Sequence, residues 1–359
     1  MINKEQMIYI HIPFCTKRCF YCNFVSFCST EIQPDYFHYL NQEIIQRKTD
    51  ALITSIFIGG GTPTSVDSDY IVNMLKTIKK HYKVSKKAEI TIECNPASTT
   101  REKLEAYQKA GIHRISFGVQ SLSEEKLKLL GRMQTKQQVF EAIQQAKEVG
   151  FDNISVDLLL GLENQTSKEV IADAKTLIDM GITHISAYML ILEEETPLWA
   201  LVQSGKVVLP TDDESVDIYE DLYQYLKSQG FERYEISNFA KNGKLSTHNL
   251  GYWQMKEYLG FGVSAHSYIN KKRIANSKNV IDYFNKSNII TESITKARFR
   301  EEAIMLGLRT KFGVNKEIVG KKRIVKQLIK DNFLQKQGEN LVICEDKFGL
   351  TNQIILKLI

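Results

Sequence analysis

Short apolar runs alternate with longer amphipathic segments through the first half of the chain, and this alternation limits the fold more than any other feature. Six runs are predicted to be β-strands, at residues 7–12, 55–59, 88–94, 113–119, 153–160 and 184–190. Helical patterns follow them, at residues 35–48, 69–81, 100–110, 135–149 and 167–180. Strands and helices that alternate at this spacing form parallel βαβ units. We therefore predict an α/β fold with a partial, TIM-like (β/α)6 barrel, and a doubly wound sheet is the alternative.

The alternation weakens after about residue 190, and the remainder divides into smaller segments. We place the barrel at residues 1–240, a motif-bearing segment and linker at 241–296, and a smaller, mostly helical domain resembling a winged helix at 297–359. The basic helix of the last domain carries Lys321, Lys322, Arg323, Lys326 and Lys330. Winged helices can bind DNA through such a face, but a solvated surface is more common. A net charge of +5 is too small to indicate a nucleic-acid partner.

The overall composition is that of a soluble globular protein, with 43% hydrophobic and 25% charged residues among 359. No apolar run approaches the roughly 18 residues needed to span a bilayer. The N-terminal sequence also lacks the pattern of a signal peptide. We therefore expect a cytoplasmic protein without a transmembrane segment, and transient contact with a membrane surface is compatible with this sequence.

Four of the six cysteines lie in one segment that follows the first predicted strand. The sequence around the first three of them reads HIPFCTKRCFYCNF, which gives Cys15, Cys19 and Cys22 the spacing C-x3-C-x2-C. Clustered cysteines in a large protein of a reducing compartment favour a metal site over disulfides. Thiolates are the usual ligands of iron–sulfur clusters. Three of them on one loop would leave the fourth iron of a [4Fe-4S] cluster open to another ligand.

A structural zinc site is the alternative for this loop. Zinc sequences usually repeat a C-x2-C pair or add a Cys/His pair downstream, and neither pattern is present. Cys28 is available as a fourth ligand, although its apolar neighbour Phe27 favours a packing role. His11 is a further candidate ligand, and alternation along its strand equally allows a buried or pocket-facing side chain.

Glycines and polar residues occur at the ends of successive predicted strands. The glycines of GGGTPT, at 59–64, follow the second strand and allow a ligand to approach the backbone closely, with a tight turn as the alternative. Glu93, Gln120 and Asp157 lie on the next three strands. Barrel active sites collect at this edge, and a carboxylate in an apolar strand needs a partner or a function. Arg132 is the candidate partner of Asp157, or else it forms an ion pair on a helix surface.

Together these motifs resemble the radical S-adenosylmethionine (SAM) superfamily, in which the open iron of the cluster chelates the amino and carboxylate groups of SAM. The motifs YIHIPFC, GGGTPT, ECNP, RISFGVQS, LGR, ISVDLLLG, YEISNFA, HNLGYW and LGFGVSAHS are similar, in order, to those of the oxygen-independent coproporphyrinogen III oxidase group. The resemblance implies that Cys15, Cys19 and Cys22 bind a [4Fe-4S] cluster. It implies SAM contacts from Tyr9, Tyr21, Gly60, Gly61, Thr62, Glu93, Gln120, Arg132 and Asp157.

That group contains oxidases and heme chaperones of the HemW type, and three features separate them. The oxidases have a further cysteine two residues after the third cluster ligand, where this chain has Phe24. They also have a long extension before the first strand, which this sequence lacks. HNLGYW, at 248–253, matches the HNxxYW segment associated with heme in the chaperones. The resemblance thus implies a heme chaperone that passes heme to an acceptor protein; the alternative is an oxidase that decarboxylates the propionates of coproporphyrinogen III.

The same resemblance implies that heme is bound by His248, Tyr252 and Trp253. Imidazole is a common ligand of heme iron, and the two rings offer flat faces for a porphyrin. Taken without the resemblance, the residues favour another interpretation, in which His248 is satisfied by local hydrogen bonds beside two core aromatic residues.

Overall fold

Six parallel strands form the centre of the protein and follow one another in the sheet in chain order. The structure is a computed structural model and describes residues 4–359. The strands are β1 (Glu5–Ile12), β2 (Leu52–Gly60), β3 (Lys83–Cys94), β4 (Arg114–Gln120), β5 (Asn153–Leu160) and β6 (His184–Met189). Side chains from all six line one interior cavity, so the sheet curves around it. The predicted α/β fold with a partial parallel barrel is confirmed.

Helices connect these strands and cover the outer face of the sheet. They are α1 (Gln33–Gln46), α2 (Ser68–His81), α3 (Arg101–Lys109), α4 (Glu124–Leu129), α5 (Lys136–Val149) and α6 (Ser167–Asp179). Threonine side chains cap the first turns of several of these helices. Thr135, for example, forms a reciprocal capping box with Gln138 at the start of α5. The buried residues of α5 recur every three or four positions, so one face of the helix packs on the sheet.

The chain after β6 extends the same sheet at both edges. Its elements are α7 (Pro197–Gln203), α8 (Asp212–Ser228), β7 (Glu232–Arg233), β8 (Asn238–Ala240), α9 (Thr247–Trp253), β9 (Tyr258–Phe261), β10 (His266–Ile269), β11 (Lys272–Ala275), α10 (Val280–Phe284) and β12 (Ile290–Ser293). Strands β8 and β7 follow β6, while β9 pairs in parallel with β1 and leads to β10, β11 and β12. The segment 241–296 therefore contributes four strands to the twelve-stranded sheet. The domain limits at 240 and 296 stay predictions.

Helix α9 packs inside the barrel against β1, β2 and β3. The carboxylate of Glu89 on β3 accepts hydrogen bonds from the first backbone N–H groups of the helix, at Thr247 and His248, both 3.0 Å long. An anion at this position satisfies orphan donors and complements the helix dipole. Gly251 lies so close to Met7 on β1 that a Cβ atom there would approach its sulfur to 2.2 Å. The helix is therefore held firmly at both ends.

The C-terminal segment has its own hydrophobic core and a three-stranded sheet in the order β13-β15-β14. Its elements are α11 (Lys296–Gly307), β13 (Val314–Asn315), α12 (Lys316–Val319), α13 (Lys322–Lys330), β14 (Leu334–Gln337), β15 (Asn340–Ile343) and α14 (Thr351–Leu358). Val325 and Leu328 face that core, while the basic residues of α13 are exposed. Among the helices of residues 4–359, none has both the length and the hydrophobicity of a membrane-spanning segment.

Candidate functional site

The segment between β1 and α1 folds back on itself and presents three cysteines to one cavity. The backbone N–H of Cys15 donates to the carbonyl of Phe27 at 3.0 Å, and a histidine on β1, His11, is 3.0 Å from the carbonyl of Val25. Cys15, Cys19 and Cys22 all line a cavity of about 360 Å³ at the carboxyl ends of the strands. His11 is buried and bonded on both ring nitrogens, so its role in this structure is to hold the loop.

The thiols are free and partly buried. Burial raises the pKa of Cys15 and of Cys22, because a thiolate is poorly solvated there. Among residues 4–359, no three thiol, imidazole or carboxylate side chains converge on a point as ligands of a single metal ion. A cubane cluster needs no such point, since each cysteine binds a different iron at a different corner.

The glycine segment after β2 packs directly on the base of the cysteine loop. The backbone N–H of Gly61 donates to the carbonyl of Ile12 at 2.8 Å, and that of Thr62 donates to the carbonyl of Phe14 at 2.7 Å. A Cβ atom on Gly61 would lie 2.8 Å from the Phe14 carbonyl oxygen, so only glycine fits. The Thr62 hydroxyl is 3.5 Å from the Cys15 sulfur. Gly60, Gly61 and Thr62 thus line the same cavity as the thiols.

Two carboxylates face the same cavity from β3 and β5. Glu93 accepts a hydrogen bond of 3.0 Å from the backbone N–H of Gly60. Burial, followed by the charge of Asp157, raises the pKa of Glu93 to about 7. Burial also raises the pKa of Asp157. A cationic ligand between these two groups would stabilise their ionised forms.

Arg132 does not form the predicted ion pair with Asp157. Its guanidinium donates to the carbonyl of Gly118 at 2.6 Å and to the side-chain oxygen of Gln134 at 2.7 Å. Its Nη1 lies 3.8 Å from the sulfur of Cys19 and 3.4 Å from the hydroxyl of Tyr21. Asp157 instead accepts a hydrogen bond of 3.2 Å from the Ser116 hydroxyl on the neighbouring strand. Arg132 therefore links the cysteine loop to the end of β4.

Gln120 ends β4 in the left-handed backbone region, with φ of 68°. Side chains other than glycine rarely adopt this conformation, and such strain often marks functional sites. The conformation places Gln120 on the wall of the cysteine cavity. Eleven of the predicted site residues meet in that wall: Cys15, Cys19, Tyr21, Cys22, Gly60, Gly61, Thr62, Glu93, Gln120, Arg132 and Asp157.

A second cavity of about 200 Å³ lies deeper in the barrel, and it shares Glu93, Ser116, Asp157 and Tyr188 with the first. Tyr9 and Tyr252 line this inner cavity. Tyr9, a predicted SAM contact, therefore lines the inner cavity and is not among the residues that line the cysteine cavity. It hydrogen-bonds with His11 at 3.1 Å.

A third space, a cleft of about 250 Å³, adjoins the inner cavity through Tyr188, Asn249 and Tyr252. Trp253 and Leu306 give it apolar surface, and the buried carboxylate of Glu235 lies at its edge. Burial raises the pKa of Glu235 to about 7. Two of the three predicted heme residues, Tyr252 and Trp253, meet in this cleft.

His248 lies behind these rings and is fully buried. Its Nδ1 is 2.9 Å from the Ser55 hydroxyl, and its Nε2 is 2.9 Å from the Tyr252 hydroxyl. The ring also stacks on Phe57, with centroids 5.2 Å apart. Burial, and then the charge of Arg114, lowers the pKa of His248 to about 3. In this structure the imidazole is a satisfied core group, which is the interpretation that the residues favoured without the resemblance.

Comparison with known proteins identifies the family. Residues 9–177 match the Radical SAM superfamily. The chain is 37% identical to the heme chaperone HemW of Bacillus subtilis (strain 168), over 86% of this chain and 84% of that protein. It is 31% identical to the heme chaperone HemW of Lactococcus lactis subsp. lactis (strain IL1403), over 100% of this chain and 98% of that protein. The chain belongs to the HemW family. The resemblance drawn from the motifs is thereby confirmed.

This chain is also similar to a solved structure, coproporphyrinogen III oxidase (HemN) from Escherichia coli, which is described as a radical SAM enzyme. The two align with a TM-score of 0.84 over 99% of this chain and 90% of that chain. Their sequences are 21% identical, so the similarity establishes the fold alone.

Several cavity residues of this HemW-family chain were missed by sequence reasoning. They are Arg114, Ser116, Ser186, Tyr188 and Asn249, all of which line the inner cavity. Arg114 and Ser116 alternate with apolar residues in HRISFGV, so period-two alternation carried the signal that they face inward. Asn249 directly follows the histidine of the HNxxYW segment, but its place depends on how α9 enters the barrel.

Proposed function

We propose that this protein is a heme chaperone that binds heme and transfers it to an acceptor protein. In the same proposal, Cys15, Cys19 and Cys22 hold a [4Fe-4S] cluster, and SAM binds beside it. One observation carries the proposal: the cysteine cavity adjoins an inner cavity and a cleft lined by the aromatic residues of HNLGYW. Membership in the HemW family supports it, because relatives similar along most of the chain are named heme chaperones.

The cysteine cavity suits an iron–sulfur cluster by the chemistry of its donors. Three thiols line this one cavity, and thiolates are the usual ligands of iron–sulfur clusters. When bound, such a cluster supplies one iron with an open coordination position for the amino and carboxylate groups of SAM. The protein fixes the loop through the Cys15–Phe27 and Gly61–Ile12 backbone hydrogen bonds.

The walls of the same cavity suit SAM because their charge complements it. SAM carries a sulfonium and an ammonium group, and Glu93 and Asp157 both face the cavity. Among residues 4–359, no lysine or arginine donates a hydrogen bond to either carboxylate. The hydrogen bonds of Arg132 to Gly118 and Gln134 hold its guanidinium in place beside Cys19. Gln120 adds an amide that can donate and accept hydrogen bonds.

Heme is the cargo in this proposal, and the cleft beside α9 is its place. Tyr252 and Trp253 present ring surface there, as a porphyrin face requires. For His248 to bind heme iron, Nε2 must first leave the hydroxyl of Tyr252. The role of His248 as iron ligand stays a prediction. The heme proposal is supported instead by the aromatic rings of Tyr252 and Trp253 in the cleft.

Two assays on anaerobically reconstituted protein test the function. Iron analysis should give about four irons per chain with a broad absorbance near 400 nm, and a colourless zinc protein would contradict the cluster. Added hemin should give a saturable Soret band. Conversion of coproporphyrinogen III to protoporphyrinogen by the purified protein would instead establish the oxidase. The proposal also places the protein in the cytoplasm, where its free cysteines would stay reduced.

A further inference from the structure

A buried arginine faces the inner cavity. Arg114 is the first residue of β4 and is only 1% exposed, yet its guanidinium lines the inner cavity. Its Nε atom has no hydrogen-bond partner among residues 4–359. Glu93 and Asp157 line the same cavity and are stabilised by the charge of Arg114, but neither carboxylate is hydrogen-bonded to it among residues 4–359. Its buried Nε–H therefore lacks an acceptor, which is costly unless a ligand supplies one.

The charged neighbours of Arg114 are bonded to other groups. Glu93 takes its hydrogen bond from the backbone N–H of Gly60, and Asp157 takes one from Ser116. On another side lie two buried histidines, His184 and His248, each bonded at both nitrogens to hydroxyl groups. Burial, with the charge of Arg114 second, lowers the pKa of both histidines and so favours their uncharged rings. Arg114 is thus left with donors for a ligand.

The shape around Arg114 indicates what kind of ligand would reach it. Tyr188, Asn249 and Tyr252 line both the inner cavity and the apolar cleft, so the two spaces are neighbours. The cleft offers the rings of Tyr252 and Trp253, and the inner cavity offers a guanidinium. A ligand that fits both has a flat apolar body and a short anionic arm. A guanidinium matches a carboxylate best, because it can donate two parallel hydrogen bonds.

We propose that Arg114 binds a carboxylate arm of the cargo whose apolar body lies against Tyr252 and Trp253. This inference rests on the proposed function, and for heme the arm is a propionate. Three carboxylates oppose the arm electrostatically: Glu93 and Asp157 in the inner cavity and Glu235 in the cleft. Glu93 and Asp157 also face the cysteine cavity, where the cationic groups of SAM would offset their charge. SAM carries a carboxylate as well, so the test must separate the two sources.

The test compares hemin with hemin dimethyl ester, whose propionates are neutral. Both are titrated into the reconstituted full-length protein and followed by the Soret band. Wild type should bind hemin about 10- to 100-fold more tightly than the ester, the range expected for a charge-assisted hydrogen bond. Arg114→Gln should lose this preference while its affinity for the ester changes little. Arg323→Gln, on the exposed face of α13, is the matched control and should behave as wild type.

Each contrary result has a distinct meaning. Equal binding of hemin and its ester by wild type would overturn the role of Arg114, leave heme binding intact, and require no variant to fold. Failure of wild type to bind either compound would overturn both the inference and the proposed function. SAM affinity is measured in parallel by equilibrium dialysis. If Arg114→Gln loses SAM affinity but keeps the preference for hemin, Arg114 serves SAM and the inference is wrong.

Discussion

Replacing His248 by alanine should lower the free energy of unfolding by about 2–4 kcal/mol. The imidazole is fully buried and bonded on one side to Ser55, which is itself fully buried. Leaving that hydroxyl without a partner costs about 1–3 kcal/mol. Loss of the stacking on Phe57 adds about 1 kcal/mol. The hydroxyl of Tyr252 contributes less, because Tyr252 lines the inner cavity and water there can replace the lost bond.

The assay is urea unfolding of the metal-free protein, followed by circular dichroism. His113→Ala is the control, since His113 is exposed and makes only a 3.4 Å contact with the carbonyl of Gly111. It should change the free energy of unfolding by no more than about 0.5 kcal/mol. If His248→Ala unfolds like wild type but loses the Soret band with hemin, the histidine is an iron ligand and the structural argument is refuted.

The stability difference between wild type and His248→Ala should also depend on pH, and the direction of this dependence follows from the pKa of His248. The folded pKa of His248 is about 3, whereas a histidine in an unfolded chain titrates near 6.5. The fold therefore favours the neutral ring, and the stability that His248 contributes is complete above about pH 6.5 and is lost as the pH falls towards 3. The difference between wild type and His248→Ala should shrink between about pH 7.5 and about pH 5. A constant difference would contradict the buried, neutral assignment.

Three further changes test the cysteine cavity. Gly61→Ala should reduce the iron bound on reconstitution, because its Cβ would meet main-chain atoms of the cysteine loop at 2.8 Å; Gly349→Ala, with open space around it, should not. Cys19→Ser should abolish the absorbance near 400 nm, whereas Cys28→Ala should retain about four irons per chain; loss of iron in the second variant would make Cys28 a ligand. Asp157→Asn should remain folded, since burial disfavours the ionised carboxylate, but should weaken SAM binding about tenfold in equilibrium dialysis. Unchanged SAM affinity would remove Asp157 from the site.

The barrel strands could be predicted because their signal is local. Strands buried on both faces give short apolar runs, and the connecting helices repeat apolar residues on one face. Strands β9 to β12 have only four residues each, and β11 and β12 lie in a segment rich in Asn, Lys and Ser, so that signal fails there. The pairing of β9 with β1, on which the other three strands build, depends on tertiary contacts that no short window of sequence contains.

The residues of the candidate site were likewise only partly predictable from the sequence. Glu93 and Asp157 were found because carboxylates in apolar strands stand out. The hydroxyl partner of Asp157, Ser116, was not predicted. The two side chains meet only because of the register in which β4 pairs with β5. Arg114 resembled an ordinary charge at the start of a strand, and only the curvature of the folded sheet shows that its side chain lines a cavity. The burial of His248 likewise follows from the entry of α9 into the barrel.

Titration of hemin into the anaerobically reconstituted protein tests the central claim most directly. A heme chaperone of this structure should give a Soret band that saturates at one hemin per chain and weakens when Trp253, in the cleft beside α9, is replaced by alanine. Absorbance that rises linearly with hemin, without saturation and without a difference between wild type and Trp253→Ala, would contradict the claim that this cleft carries heme.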